Sequence, residues 1–393
     1  MIAIALDVVC VLALVLALVQ GIRRGLLASL GAIAGLALGG LAAWWLVPVV
    51  GRLVEAPEWR GWAILGVVAV LLFGGAVLGG AVGSALRRGA DRIRLKWLDR
   101  ALGAVVNVGV VGLALSLVGQ SVAATGMPVV SEAVGSSTVL RTIDSVTPRP
   151  VDEALAQVRA IVIDDGLPRL GELFEALPSV TASPPVDLAD PALSGAAQSV
   201  ARIAGTAYSC GRSLTGTGFV VAQDRVVTNA HVVAGVAAPV VELPGRTARE
   251  GRVVYFDAAT DLAVIAVDGL DAGTLAVGEN LPLGGSGVVQ GYPYGGPFTM
   301  GPASVLSVGA VPVPDIYDSA SALREVYALA ADVRPGNSGG PLLDAAGDVV
   351  GVVFARADDG TEVGYAMTTA PLRPVVDAAS SLSESVPTGS CVD

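Results

Sequence analysis

RPGNSGGPLL, residues 334–343, places Ser338 between Asn337 and a pair of glycines, just ahead of an apolar run. Glycine reaches positive φ at little cost, so taken alone the stretch also reads as an ordinary turn. A serine hydroxyl is a poor nucleophile at its own pKa and requires a base within hydrogen-bond reach. The chain offers one imidazole for that task, His231 in VVTNAHVV (226–233), the only histidine among 393 residues. A lone histidine in an apolar run is more often a packed core residue, and VVTNAHVV by itself leaves that reading open. ATDLAV (259–264) supplies an acid, Asp261, directly before another apolar run, with Asp257 and Asp268 as neighbouring alternatives.

These three stretches share one kind of surrounding. Beyond Ser199 the chain becomes about twelve short β-rich runs separated by Gly, Asp and Pro, from VARIAGTA (200–207) through GTGFVVA (216–222) and LAVIAV (262–267) to EVGYAMT (362–368). Helical spacing returns only in APLRPVVDAASS (370–381). The pattern predicts an all-β pair of small antiparallel barrels with a closing C-terminal helix.

The order His231, Asp261, Ser338, each at a strand edge, resembles the chymotrypsin-like serine proteases, and TNAHVV, DLAV and PGNSGGPL look most like their Deg/HtrA branch. The resemblance implies that His231 is the general base, Asp261 its orienting acid and Ser338 the nucleophile. It further implies an oxyanion hole formed by the backbone N–H groups of Gly336 and Ser338. Asn337 stands where digestive proteases carry Asp, so activation by a freshly cut N-terminus is not expected. Asp332 falls at the expected floor of the primary specificity pocket, with Phe354, Ala355 and Arg356 near its wall. Asp332 there could select a basic side chain, and Arg356 could neutralise it. No segment of PDZ size follows the closing helix, so peptide recruitment by such a module is not expected. Neither a cofactor nor a metal ion is expected.

Upstream the chain changes character. The first 126 residues hold ten basic and five acidic side chains, the remainder fourteen and thirty. The acidic remainder argues against nucleic acid, whose binding needs basic surface to replace counterions. Four segments are long and apolar enough to span a bilayer: Ile2 to Val19, Leu26 to Val50, Trp62 to Gly83 and Ala101 to Ala124. The first lacks the basic front and cleavage site of a secretory signal and is expected to be retained. GIRRG (21–25) and the basic run 85–100 mark the first and third connections as cytoplasmic, which puts the N-terminus and everything after residue 126 outside. Gly31, Gly35 and Gly39, and Gly75, Gly79 and Gly83, form small-residue ridges suited to close helix packing. Asn107 suits interhelical hydrogen bonding, and with Asp7 makes only a weak case for transport. GIRRGLL (21–27) and LDRALGAVVNVGVVG (98–112) resemble the CvpA (colicin V production) membrane family over residues 1–126.

The expected organisation is therefore a transmembrane four-helix domain over 1–126, a helical segment and linker over 127–198, and a protease domain over 199–393. VDEALAQVRAIVIDDG (151–166) and LPRLGELFEAL (167–177) have helical spacing, and TASPPVDLADPALSG (181–195) reads as an extended linker open to self-cleavage. Cys10 lies in the first span, leaving Cys210 and Cys391 outside. In an oxidising compartment they are most simply a disulfide, with two separate thiols as the alternative. Taken over its whole length, the chain is similar to the mycobacterial acid-resistance periplasmic serine proteases. That similarity implies an actinobacterial cell-envelope endopeptidase resisting acid and oxidative stress, acting on envelope proteins such as peptidoglycan hydrolases, with a disulfide that supports activity. The rival reading is a membrane scaffold or sensor whose outer domain binds without cutting.

Overall fold

The structure is a computed structural model and describes residues 2–53, 57–90, 96–123, 133–148, 150, 151, 155, 168–170, 186–210, 212–358 and 361–392. The chain divides into two compact units, residues 7–115, and residues 1–6 with 116–393.

The N-terminal helices are α1 (Ile2–Arg24), α2 (Leu26–Leu53), α3 (Pro57–Ala90) and α4 (Lys96–Ala123). Among the described residues three apolar runs are long enough to cross a membrane, Ile2–Arg24, Leu26–Ala43 and Trp97–Gly119, while Phe73–Leu86 in α3 is shorter. Arg23 and Arg24 form the last turn of α1, where cations complement the helix dipole. The packing inverts that of a water-soluble bundle: Leu16, Leu38, Val82 and Val105 are exposed, and small residues meet inside. The predicted ridges do face each other. A Cβ on Gly35 would stand 2.0 Å from the Gly75 carbonyl oxygen, and one on Gly79 2.0 Å from that of Gly31. Where lipid offers no hydrophobic drive between helices, such backbone approach supplies the contact. Asn107 Nδ2 donates to Ser29 Oγ at 2.5 Å, the expected link from α4 to α2. Asp99 Oδ1 accepts the Leu26 N–H at 2.9 Å, satisfying an orphan donor at the start of α2.

The second unit holds α5 (Thr138–Val146), capped by Ser137, then β1 (Arg169–Leu170) and α6 (Pro191–Ala197). Two seven-stranded sheets follow. The first comprises β2 (Val200–Ala207), β3 (Arg212–Ala222), β4 (Arg225–Thr228), β5 (Val240–Glu242), β6 (Arg249–Glu250), β7 (Arg252–Asp257) and β8 (Leu262–Ala266). Its order is β6-β5-β2-β3-β4-β8-β7, antiparallel throughout, and α7 (Ala230–Val233) follows β4. The second comprises β9 (Ser286–Gly291), β10 (Thr299–Pro314), β11 (Ser321–Ala330), β12 (Pro341–Leu343), β13 (Val349–Ala357) and β14 (Val363–Met367), with β1 added at its edge. Its order is β1-β13-β12-β9-β10-β11-β14, and β13 also pairs with β14, so six strands run in a ring. The closing helix α8 (Thr369–Ala379) buries Leu372, Val375 and Ala379.

Strand alternation explains the apolar runs. In β8 every side chain is buried: Ala263 and Ile265 enter the first sheet's own core, while Leu262, Val264 and Ala266 face a core shared with the second. A strand buried on both faces reads as continuous hydrophobicity, as LAVIA does. All twelve predicted runs are strands, and the two-residue β6 is additional.

Two local expectations are corrected. Residues 169 and 170 are strand, not helix: Arg356 N–H donates to the Pro168 oxygen and Asp358 N–H to the Leu170 oxygen, both at 3.1 Å, so pairing with β13 overrides local spacing. Residues 191–197 are helical, not linker. Asp190 accepts the Ala192 N–H at 2.8 Å, Pro191 occupies the first turn, and Leu193 is fully buried. The other residues of 151–166 and 171–185 lie, but for Val151 and Leu155, outside the described residues. Cys210 and Cys391 are joined by a disulfide with a Cα–Cα distance of 6.6 Å, and Cys10 is a buried thiol.

Candidate active site

Two loops bring His231 and Asp261 together, and a third carries Ser338. β4 ends at Thr228, and Asn229 leads into the single turn of α7, which carries His231. Asp261 sits one residue before β8 with φ +57°, a left-handed conformation that Asp adopts more readily than most residues. That backbone is held from outside, because Asn229 Nδ2 donates to the Asp261 carbonyl oxygen at 2.8 Å. Asp261 then grips His231 twice. Its Oδ1 accepts the backbone N–H of His231 at 3.0 Å, and Nδ1 lies 3.0 Å from Oδ1 and 2.8 Å from Oδ2. A carboxylate only accepts, so the proton is on Nδ1 and the Nε2 lone pair is left available. Both side chains are 4 % exposed, which shields the pair from screening.

The alternative acids are engaged elsewhere. Asp257 accepts from the Ala259 N–H at 2.9 Å and the Thr260 hydroxyl at 2.7 Å, as a turn acid does, and exposed Asp268 lies 3.4 Å from Arg252.

Ser338 is 1 % exposed, in the loop between β11 and β12. Among the described residues neither its Oγ nor His231 Nε2 has a hydrogen-bond partner. The flanking glycines are required by geometry. Gly336 has φ +93°, and a Cβ there would stand 2.3 Å from the Tyr292 oxygen; Gly339 has φ +79°, with a Cβ 2.2 Å from the Thr217 oxygen. Among the described residues the N–H groups of Gly336 and Ser338 donate to no protein acceptor. Such free, fixed donors can receive a developing oxyanion.

The residues expected around the specificity pocket separate. Asp332 lines a cavity of about 510 Å³ with Tyr294, Met300, Arg334, Asn337 and Glu362. Its carboxylate is held by Arg334, whose Nε lies 2.9 and 2.8 Å from the two oxygens, rather than by Arg356. The hydrogen bond to Asp332 holds the Arg334 guanidinium above its ordinary range. Phe354 and Ala355 are buried and do not line that cavity; the Arg324 guanidinium lies 5.7 Å from the centre of the Phe354 ring. Burial pushes the Arg324 pKa down. Arg356 lines a smaller cavity together with Asp332. Two supporting residues carry no chemistry in the sequence reading, Asn229 and Thr217. TNAH holds Asn229 at a helix N-cap, a signal that could have found it; Thr217 looks like any strand threonine.

Residues 216–352 match the trypsin-like peptidase domain family, and residues 6–148 match the colicin V production protein family. The chain is thus a trypsin-like serine protease joined to a CvpA-like domain with apolar helices long enough to cross a membrane. It belongs to the serine protease family that includes Rv3671c of Mycobacterium tuberculosis H37Rv, with 35% identity over 393 residues, covering 98% of each chain. Serine protease MT3772 of M. tuberculosis CDC 1551 matches to the same extent. The crystal structure of the M. tuberculosis Rv3671c protease in its active form superposes with TM-score 0.52 at 38% identity, covering 57% of this chain and all of that one.

Proposed function

We propose that this protein is a membrane-anchored endopeptidase in which His231, Asp261 and Ser338 act as a catalytic triad, on a double-barrel domain outside the membrane. The observation that carries the proposal is the buried His231–Asp261 pair, which leaves Nε2 without a partner among the described residues, just as the buried Ser338 hydroxyl is. Ser338 Oγ attacks the scissile carbonyl while its proton passes to Nε2, and Asp261 stabilises the resulting imidazolium. The oxyanion is received by the Gly336 and Ser338 N–H groups, each such donor being worth about 3 kcal/mol. The imidazolium then protonates the leaving amine, and water taken through the same base releases the acyl group. Substrate binding is the step that draws Ser338 and His231 into hydrogen-bond contact, as in other enzymes whose catalytic bonds tighten on complex formation.

Four spans with the N-terminus outside follow from the arginines of the first and third connections, and place the protease domain in the extracytoplasmic space. Substrates are then cell-envelope proteins such as peptidoglycan hydrolases, cut during acid or oxidative stress. Asp332 and Arg356 are assigned to substrate selection, with the Arg334 pair weakening a preference for basic side chains. The test uses the full chain in detergent. Wild type hydrolyses a casein-derived peptide and is labelled by a fluorophosphonate, whereas Ser338→Ala does neither; hydrolysis undiminished in Ser338→Ala would falsify the assignment.

A further inference from the structure

We infer that Thr217 is the positioning residue of the oxyanion loop, acting through two of its own groups, the backbone N–H and the hydroxyl, on the segment that carries Ser338. The inference rests on the triad assignment above. Thr217 lies on β3, in the first sheet, 119 residues from the loop it holds. Its backbone N–H donates to the Ser338 carbonyl oxygen at 2.8 Å. Its hydroxyl lies 2.6 Å from the Gly336 oxygen and accepts the Tyr292 N–H at 3.0 Å. Because a carbonyl only accepts, the hydroxyl proton points at Gly336, and one oxygen ties β3, the end of β9 and the nucleophile loop together. Thr228 Oγ1 in turn donates to the Thr217 oxygen at 2.7 Å, so the side chain sits on a backbone fixed on both sides.

The position of these bonds gives them their effect. The two oxyanion donors belong to the Pro335–Gly336 and Asn337–Ser338 peptide units, and the carbonyls that Thr217 engages, those of Gly336 and Ser338, belong to the unit that follows each donor. Anchoring both carbonyls fixes the turn between the two N–H groups, while Tyr294 N–H holds the Pro335 oxygen at 2.6 Å from the far side. Thr217 is fully buried. Without its hydroxyl the Tyr292 N–H and the Gly336 oxygen lose their partner, and the loop gains freedom where catalysis requires two donors at fixed spacing.

The experiment compares two ligands on the full chain in detergent. One is a peptide aldehyde built on the casein peptide that wild type cleaves best; the other is the matching alcohol. Ser338 Oγ adds to the aldehyde carbon, its proton passes to His231 Nε2, and the aldehyde oxygen becomes the oxyanion; the alcohol binds without that adduct. Thr217→Val is expected to lose about 10- to 100-fold in aldehyde affinity and in kcat, with alcohol affinity and KM within about twofold of wild type. Thr217→Ser restores both. Thr217→Ala is measured beside them, removing the hydroxyl without added bulk should Thr217→Val fail to fold, and inhibition constants do not scale with the folded fraction. The inference is overturned if Thr217→Val and Thr217→Ala keep the wild-type ratio of aldehyde to alcohol affinity, or if Thr217→Ser loses as much as they do. Hydrolysis by Ser338→Ala, or a wild type that does not prefer the aldehyde, would instead remove the triad assignment and this inference with it.

Discussion

Asp261 combines an uncommon backbone with three contacts to one neighbour, so substitutions there separate orientation from charge. Asp261→Asn keeps the shape but replaces an acceptor-only group with one that can donate, which allows His231 to carry its proton on the wrong nitrogen. A fall of about 10⁴-fold in kcat is expected, measured by steady-state hydrolysis against an unchanged thermal unfolding curve. At Gly336 the constraint is spatial: a Cβ 2.3 Å from the Tyr292 oxygen forces the loop to move, so Gly336→Ala should lower kcat at least about 100-fold. Equal kcat in Gly336→Ala would show that this N–H takes no part. His231, Asp261 and Ser338 could be picked out of the sequence because each stands in a distinctive local stretch and there is only one imidazole. Thr217 could not, because its work is hydrogen bonding to backbone 119 residues away and its neighbourhood is that of an ordinary strand; for Asn229 the cap position was legible but not its partner 32 residues away.

Among the elements, the strands were legible because each puts alternate residues into different cores, and a doubly buried strand is continuous in apolar character. Segments governed by one backbone contact were not. β1 exists through pairing to β13, and α6 hides in a Pro-rich stretch whose Asp190–Pro191 start is a helix signal outweighed by composition. Asp190→Ala should cost about 1 kcal/mol, read from denaturant midpoints. The turn joining β10 to β11 depends on Asp315, which accepts from the Ser319 hydroxyl and N–H and the Tyr317 N–H. Those bonds, Ser319's first, hold its carboxyl below the usual range. The stabilisation is therefore complete above the unfolded carboxylate value of about 3.9 and is lost as pH falls through the lower folded value. Asp315→Asn should melt earlier than wild type at neutral pH, with the gap closing below about pH 4; a constant gap would assign the effect to shape instead. In the helical unit, Gly79→Val places bulk 2.0 Å from the Gly31 oxygen and should separate α2 from α3, seen as unfolding at lower SDS fraction.

At the scale of the whole catalytic unit, the C-terminal tail is a seam. Val386 N–H donates to the Val253 oxygen, Thr388 accepts the Gly235 N–H at 3.0 Å, and the Tyr317 hydroxyl donates to the Ser390 oxygen at 3.1 Å. A Cβ on Gly235 would stand 3.1 Å from Cys391 Sγ, four residues beyond His231. The disulfide thus pins a tail that touches both the loop after the histidine and the tip of the β10–β11 hairpin. Cys210→Ser should lower thermal stability by roughly 5 kcal/mol at most, from loop-closure entropy, and lower activity by loosening the His231 loop. Equal activity in Cys210→Ser would confine the bridge to stability. The bridge also spans 181 residues and so makes the protease core a covalent ring. A single cut inside that ring takes up one water and leaves fragments still joined through the bridge, which part only after reduction. A cut upstream of residue 210 instead frees the whole ring from its anchor at once, so comparing reduced with unreduced mass distinguishes damage from release.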